Sequence, residues 1–295
     1  MGILLGLLTA LAWGSSDFVA RFAARRIGAL RTTLYMQLTG LALLTIFLPR
    51  IGGWGHLVDG TGWKPWAWGT LAGVVNGIAT LSLYRSFETG KMAVVAPLSA
   101  SYPALTVALS IITGEHLTMM RIAGIVFILI GVVLVAGGET PPDENSSVNS
   151  TVAVEKNHSG MFWAFISALG FGVLFWLLGT RIVPAVGFAA TVWMIRLTSS
   201  LLTTAVILVL RQPLALPRGG PVPTWLLGMG LLDTGAFVLN NRGMELEQVS
   251  VVSVLASLYG AFTVALAAIF LREKLSRGQW LGIVSIFAGI VLISR

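Results

Sequence analysis

The 295-residue chain contains no cysteine. That removes disulfides, thiolate metal sites and thiol chemistry from its possible functions. Charge is almost as scarce. Asp, Glu, Lys and Arg make up 11% of the chain, where a soluble domain carries about 25%. What charge there is leans positive, with 19 Lys and Arg against 12 Asp and Glu and a net charge of +7. The basic residues sit between apolar runs rather than in one patch. This argues against a nucleic-acid partner and fits loops that flank membrane helices. No His/Asp/Glu cluster has metal-ligand spacing, and no Gly-rich phosphate loop, nucleophile elbow or kinase signature is present. Nothing points to an enzyme, a cofactor or a metal. The first apolar run ends at Arg21, Arg25 and Arg26 rather than at a small-residue cleavage site, so no cleavable signal is evident.

What fills the space is apolar residue, 56% of the chain, with a mean hydropathy of +0.86. A spanning helix needs about 20 mostly apolar residues. Ten segments qualify: roughly 2–22, 31–49, 66–86, 92–113, 119–138, 160–180, 188–210, 223–243, 249–271 and 277–294. The expected protein is polytopic, all-α, and partnered by the lipid bilayer. Its long hydrophilic stretch, Glu139 to Ser159, has a linker composition with Pro141, Pro142 and many Ser and Asn. It carries Asn-x-Ser/Thr triplets at Asn145, Asn149 and Asn157, which such a composition produces by chance. The expected organisation is residues 1–138, a linker 139–159, and residues 160–295.

The two halves repeat each other. At an offset of 157, Trp68, Gly73, Arg85, Glu88, Leu98 and Tyr102 meet Trp225, Gly230, Arg242, Glu245, Leu255 and Tyr259. At an offset of 158, Gly2, Ala10 and Gly14 meet Gly160, Ala168 and Gly172, and Glu115, Leu117, Gly124 and Gly131 meet Glu273, Leu275, Gly282 and Gly289. Five helices is an odd number, so the second half must enter from the opposite side. The predicted fold is ten transmembrane helices in two inverted five-helix repeats around a central cavity, the arrangement of secondary transporters.

Polar residues inside the apolar segments are the candidates for function. Asn76, Thr80 and Tyr84 share one face of the third helix at i, i+4 and i+8. Gly69, Gly73 and Gly77 form a second stripe that would admit a neighbouring helix closely. The repeat copy, Trp225 to Asn241, presents Asp233, Phe237 and Asn241 instead. A charge at mid-membrane costs about 2.5–3.5 kcal/mol, so Asp233 should face a cavity or a partner. It could bind a substrate ammonium, carry a proton, or pair with Arg196. Arg196 in turn could meet a substrate carboxylate, pair with an acid, or snorkel. Asp17 lies one turn after Trp13, and Arg21 one turn further. Asp17 is a candidate proton carrier or one partner of an i,i+4 ion pair. Pro97 and Pro103 bracket an expected kink in the fourth helix. The ninth helix has Val254 and Gly260 there, so it need not bend alike.

The opening helix TALAWGSSDFVAR and the closing segments GEHLTMMRIAGIVFILIGVVLVAGG and REKLSRGQWLGIVSIFAGIVLI resemble the EamA family of the drug/metabolite transporter superfamily. The resemblance spans nearly all of the chain except the linker. It implies a basket of ten helices around a cavity built mainly by helices 1, 3, 4, 6, 8 and 9. It implies export of small metabolites without ATP, most closely as in exporters of aromatic amino acids. Helices 5 and 10 would lie outside, where related small multidrug pumps dimerise; a monomer is the expectation here, a dimer the alternative. Aromatics on the cavity helices suit flat apolar ligands and ammonium groups. The expected substrate contacts are Asn76, Tyr84, Tyr102, Trp163, Asp233, Asn241 and Tyr259, with Asp17 or Asp233 able to couple protons. The alternative function is proton-coupled efflux of lipophilic cations. The family implies a bacterial inner membrane with both termini cytoplasmic. The basic residues oppose that orientation: twelve of the 19 lie on the side reached after helix 1 and six on the other, which would put the termini outside.

Overall fold

The computed structural model describes residues 1–51, 53–90, 92–136, 150–216, 220–271 and 277–293. Most of the expected linker, with Asn145 and Asn149, lies outside them, as do the repeat positions Glu273 and Leu275. Every regular element among the described residues is helical. The first half holds α1 (Gly2–Ile27), α2 (Ala29–Ile51), α3 (Lys64–Thr89), α4 (Met92–Ser99), α5 (Pro103–Ile112) and α6 (Met119–Ala136). The second holds α7 (Ser150–Leu177), α8 (Val183–Val186), α9 (Phe188–Val209), α10 (Val222–Leu246), α11 (Val249–Ala256), α12 (Tyr259–Leu271) and α13 (Arg277–Ile293).

Among the described residues five stretches are long and apolar enough to cross a membrane: Gly2–Ile27, Ala29–Ile51, Ser159–Val186, Phe188–Val209 and Val222–Leu246. Four shorter apolar helices accompany them. The 26-residue α3 is not one of the five, because its Gly, Ser, Thr and Asn dilute the apolar run. Among the described residues α4 leads into α5, α7 into α8 and α11 into α12. Between α7 and α8 the chain makes a π turn, Leu178–Ile182. Pro184 follows it and has no N–H to donate to an α-helical ladder. α7 also starts at Ser150, so the last residues of the hydrophilic stretch are helical.

The packing repeats with the sequence. α1 lies along α10, and its repeat counterpart α7 lies along α3. α2 packs on α9, and α6 on α13. The glycine stripe of α3 admits α9: a Cβ on Gly73 would lie 2.4 Å from the Cβ of Thr198. Each polar helix is thereby held between two helices of the other half.

Cross-contacts define two ends of the molecule. At one, Gly2 abuts Glu247, Arg121 pairs with Glu247 at 2.8 Å, and Gln248 Nε2 donates to the His116 carbonyl at 2.7 Å. Ile293 packs on Gly124 nearby, so residues 1 and 293 share this terminal end. At the opposite end, Arg25 donates to the Gly90 carbonyl at 3.1 Å, Gly90 touches Gly160, and Arg31 donates to the Ala215 carbonyl at 3.1 Å.

Candidate functional site

A chamber lies where the two halves cross. It is lined by Trp13, Asp17, Thr80, Leu83, Tyr84, Tyr102, Phe171, Phe175, Asp233, Phe237 and Tyr259. Seven of these eleven are aromatic. Six of the rings, all but Tyr84, form one connected cluster. Trp13 meets Phe237 edge-on at 5.0 Å, Phe175 at 5.4 Å and Tyr259 at 6.2 Å. Tyr102 lies 4.8 Å from Phe175 and stacks on Tyr259 at 6.4 Å. Such pairs contribute about 0.5–1.5 kcal/mol each beyond their buried area. The space between the lining residues is about 370 Å³.

One wall is charged. Asp233 on α10 takes a 2.6 Å hydrogen bond from Arg196 Nη2 on α9. Arg196 Nη1 donates to Gln37 Oε1 at 2.7 Å, and the guanidinium lies 5.1 Å from the centre of the Phe237 ring. Arg196 is fully buried, so removing its partner would strand a charge. Gly40 on α2 gives the guanidinium its room: a Cβ there would fall 2.9 Å from Arg196 Nε and 2.2 Å from Thr234 Oγ1. Asp17, 4% exposed, lines the chamber from α1. The chamber thus combines ring faces with two carboxylates, one of them already paired. Among the described residues no group of three or more His, Asp or Glu is arranged to hold a metal ion.

Of the residues the sequence singled out, Tyr84, Tyr102, Asp233, Tyr259 and Asp17 line the chamber together. Asn76 instead faces α9, where its amide donates to Ser199 Oγ at 3.4 Å. Asn241 donates to the Phe188 carbonyl at 3.1 Å and ties α10 to the start of α9. Trp163 is half-buried against Phe162. Arg196 and Asp233, whose pairing was one of the open readings, do pair. Gln37 was not anticipated; its only signal was a lone amide inside an apolar helix. Leu83 carried no signal at all.

The lining follows the repeat in part. Trp13 and Phe171, Asp17 and Phe175, Thr80 and Phe237, and Tyr102 and Tyr259 are repeat mates, and all eight line the chamber. Leu83, Tyr84 and Asp233 break the pattern. Their mates Asn240, Asn241 and Asn76 are fully buried elsewhere.

The helices and this internal chamber define a multi-pass membrane protein whose interior, not its surface, carries the polar chemistry. The chain belongs to the EamA-like transporter family, whose model matches residues 1–137 and 158–295, and it is by family a membrane transporter rather than an enzyme. It is 33% identical over 135 residues to Uncharacterized protein MJ1333.1 of Methanocaldococcus jannaschii. That match covers 95% of the relative but 45% of this chain, so the relative has about the length of one half. A solved crystal structure shares the fold with a TM-score of 0.72 at 18% identity, over 99% of this chain and 95% of the other.

Proposed function

We propose that the chain is a secondary transporter that exports small amphipathic metabolites, amino acids including aromatic ones foremost, by alternating access. The observation that carries this reading is the chamber, where seven aromatic rings meet two carboxylates at the crossing of the halves. Ring faces bury a flat side chain and attract an ammonium group. Asp17 and Asp233 offer it carboxyl partners. The two repeats, inverted in the membrane, rock around this point. The location is an inner (plasma) membrane, with both termini in the cytoplasm as the family implies.

The test is counterflow of labelled amino acids in liposomes at equal pH on both sides. Uptake of aromatic amino acids is expected, with a loss of at least tenfold in Asp233→Asn. No counterflow of any amino acid would sink the reading. A second reading, proton-coupled efflux of lipophilic cations, is favoured by Asp17, a buried carboxylate facing aromatic rings. It predicts flux of a lipophilic cation only under a proton gradient, abolished by Asp17→Asn.

A further inference from the structure

Tyr102 and Tyr259 are repeat mates at the start of α5 and α12, and their rings stack across the chamber. Symmetry would give their hydroxyls equivalent partners. Tyr102 donates to the carbonyl of Ser253 on α11 at 3.0 Å. The repeat mate of Ser253 is Ala96 on α4, so Tyr259 should reach the Ala96 carbonyl. It does not: among the described residues the buried Tyr259 hydroxyl has no hydrogen-bond partner. Ala96 packs against the same segment, its carbonyl 3.5 Å from the Cβ position of the adjacent Gly260.

The chamber lining departs from symmetry in the same sense. Ser253 precedes the break in α11, which starts at the terminal end; Ala96 precedes the break in α4, which starts at the opposite end. The bond that is made therefore lies on the terminal side of the chamber, and the missing one on the opposite side. Leu83 and Tyr84, near the opposite end of α3, line the chamber. Their mates Asn240 and Asn241, near the terminal end of α10, do not. Two features thus set the sides apart: the tyrosine bond is made on the terminal side and missing on the opposite one, and the lining reaches further towards the opposite end.

We infer that Tyr102 and Tyr259 form an alternating latch. In this conformer Tyr102 holds the terminal side closed, and the free Tyr259 hydroxyl is left to hydrogen-bond the substrate. In the other conformer the roles exchange: Tyr259 bonds the Ala96 carbonyl, Tyr102 is released, and Asn240 and Asn241 replace Leu83 and Tyr84 in the lining. The inference rests on the alternating-access reading and adds to it the groups that bias each state. An inverted repeat supplies the physical reason, because exchanging the conformations of the two halves converts one state into the other.

The absence of native cysteine makes the test direct. Single cysteines at Leu83 and at Asn240 would be labelled with a hydrophilic maleimide in the detergent-solubilised full chain, where both ends are accessible. The expected labelling is faster at Leu83→Cys than at Asn240→Cys. Tyr102→Phe keeps the ring and removes the latch of this conformer, so the Leu83/Asn240 rate ratio should fall roughly 3- to 10-fold, the worth of one net hydrogen bond. Tyr259→Phe should raise it by a similar factor, and the double variant should return it towards wild type. Shifts of both single variants in the same direction, or no shift in either, would overturn the latch. Each variant would also be tested in the counterflow assay. Intact flux with same-direction shifts sinks the latch alone. Opposed shifts without flux of any substrate sink the transporter reading and leave the latch standing.

Discussion

Along the seam between α6 and α13, each glycine sits as its repeat mate sits. A Cβ on Gly131 would fall 2.7 Å from the Gly282 carbonyl, and one on its mate Gly289 would fall 2.6 Å from the Gly124 carbonyl. In the chamber the same two halves diverge. Asp233 has a guanidinium partner at 2.6 Å, while its mate Asn76 has a hydroxyl at 3.4 Å. The seam has only to hold two helices together, and equal halves do that best. The chamber has to select and move something, and there the halves have become chemically and conformationally unequal. Retained symmetry marks scaffold in this molecule, and lost symmetry marks the site.

The largest expected effect breaks the unequal pair. Asp233→Ala leaves Arg196 buried and unpaired, at a cost of about 3–5 kcal/mol. Asn76→Ala removes one long hydrogen bond, at about 1 kcal/mol. Thermal unfolding in detergent would compare the two. Replacing the pair together, as Arg196→Met with Asp233→Leu, should recover most of the stability, because the desolvation cost of both charges disappears. Recovery of stability without recovery of counterflow would assign the pair to function. Equal losses for Asp233→Ala and Asn76→Ala would erase the comparison.

Intermediate effects belong to the seam. Gly131→Ala and Gly289→Ala, repeat mates, each push a methyl into the facing carbonyl. Overpacking of this kind costs roughly 1–3 kcal/mol. The prediction is less the size than the equality: the two variants should lower the unfolding midpoint alike, and neither should alter substrate preference. A clear difference between them would show that the seam, too, has lost its symmetry.

The sequence displayed the frame of this molecule well. Apolar runs, the hydrophilic divider and the offsets of 157 and 158 disclose the helices and their pairing, because burial in lipid leaves little freedom in which residues a helix can use. The charged pair was legible as a possibility, since Asp233 and Arg196 both lie deep inside apolar segments. The exact lining was not. Asn76, Thr80 and Tyr84 share a face by spacing, but a helix wedged between neighbours has more than one buried face. Thr80 and Tyr84 turn to the chamber, and Asn76 turns to α9. Which face meets the cavity depends on the crossing of α3 with α7 and α9, and that crossing is a tertiary property. The difference between Tyr102 and Tyr259 was also beyond reach, since identical residues in equivalent positions carry no sign of which one is bonded.

The smallest expected effect concerns the helix breaks themselves. Pro97 and Pro103 pointed to a kink in the first half and left the second free not to bend, and α11 and α12 separate at the equivalent place. Helix α4 runs through position 97 and ends at Ser99. In both halves the break is a tightened turn: Ser101 N–H donates to the Leu98 carbonyl at 3.3 Å, and Leu258 N–H to the Leu255 carbonyl at 3.2 Å. Serine hydroxyls reinforce both turns, Ser101 on Leu98 O and Ser257 on Val254 O, each at 2.7 Å. Such side-chain bonds compete with the regular helix ladder. Pro103 then sits in the first turn of α5, where its missing N–H has no helical partner to lose. It follows the break rather than making it. Pro103→Ala should therefore cost only about 0.4–1 kcal/mol, mostly through a freer unfolded chain, and should leave the helical content by circular dichroism and the counterflow rate near wild type. Loss of transport in Pro103→Ala would mean that proline makes the break in the first half, and that the two halves bend for different reasons.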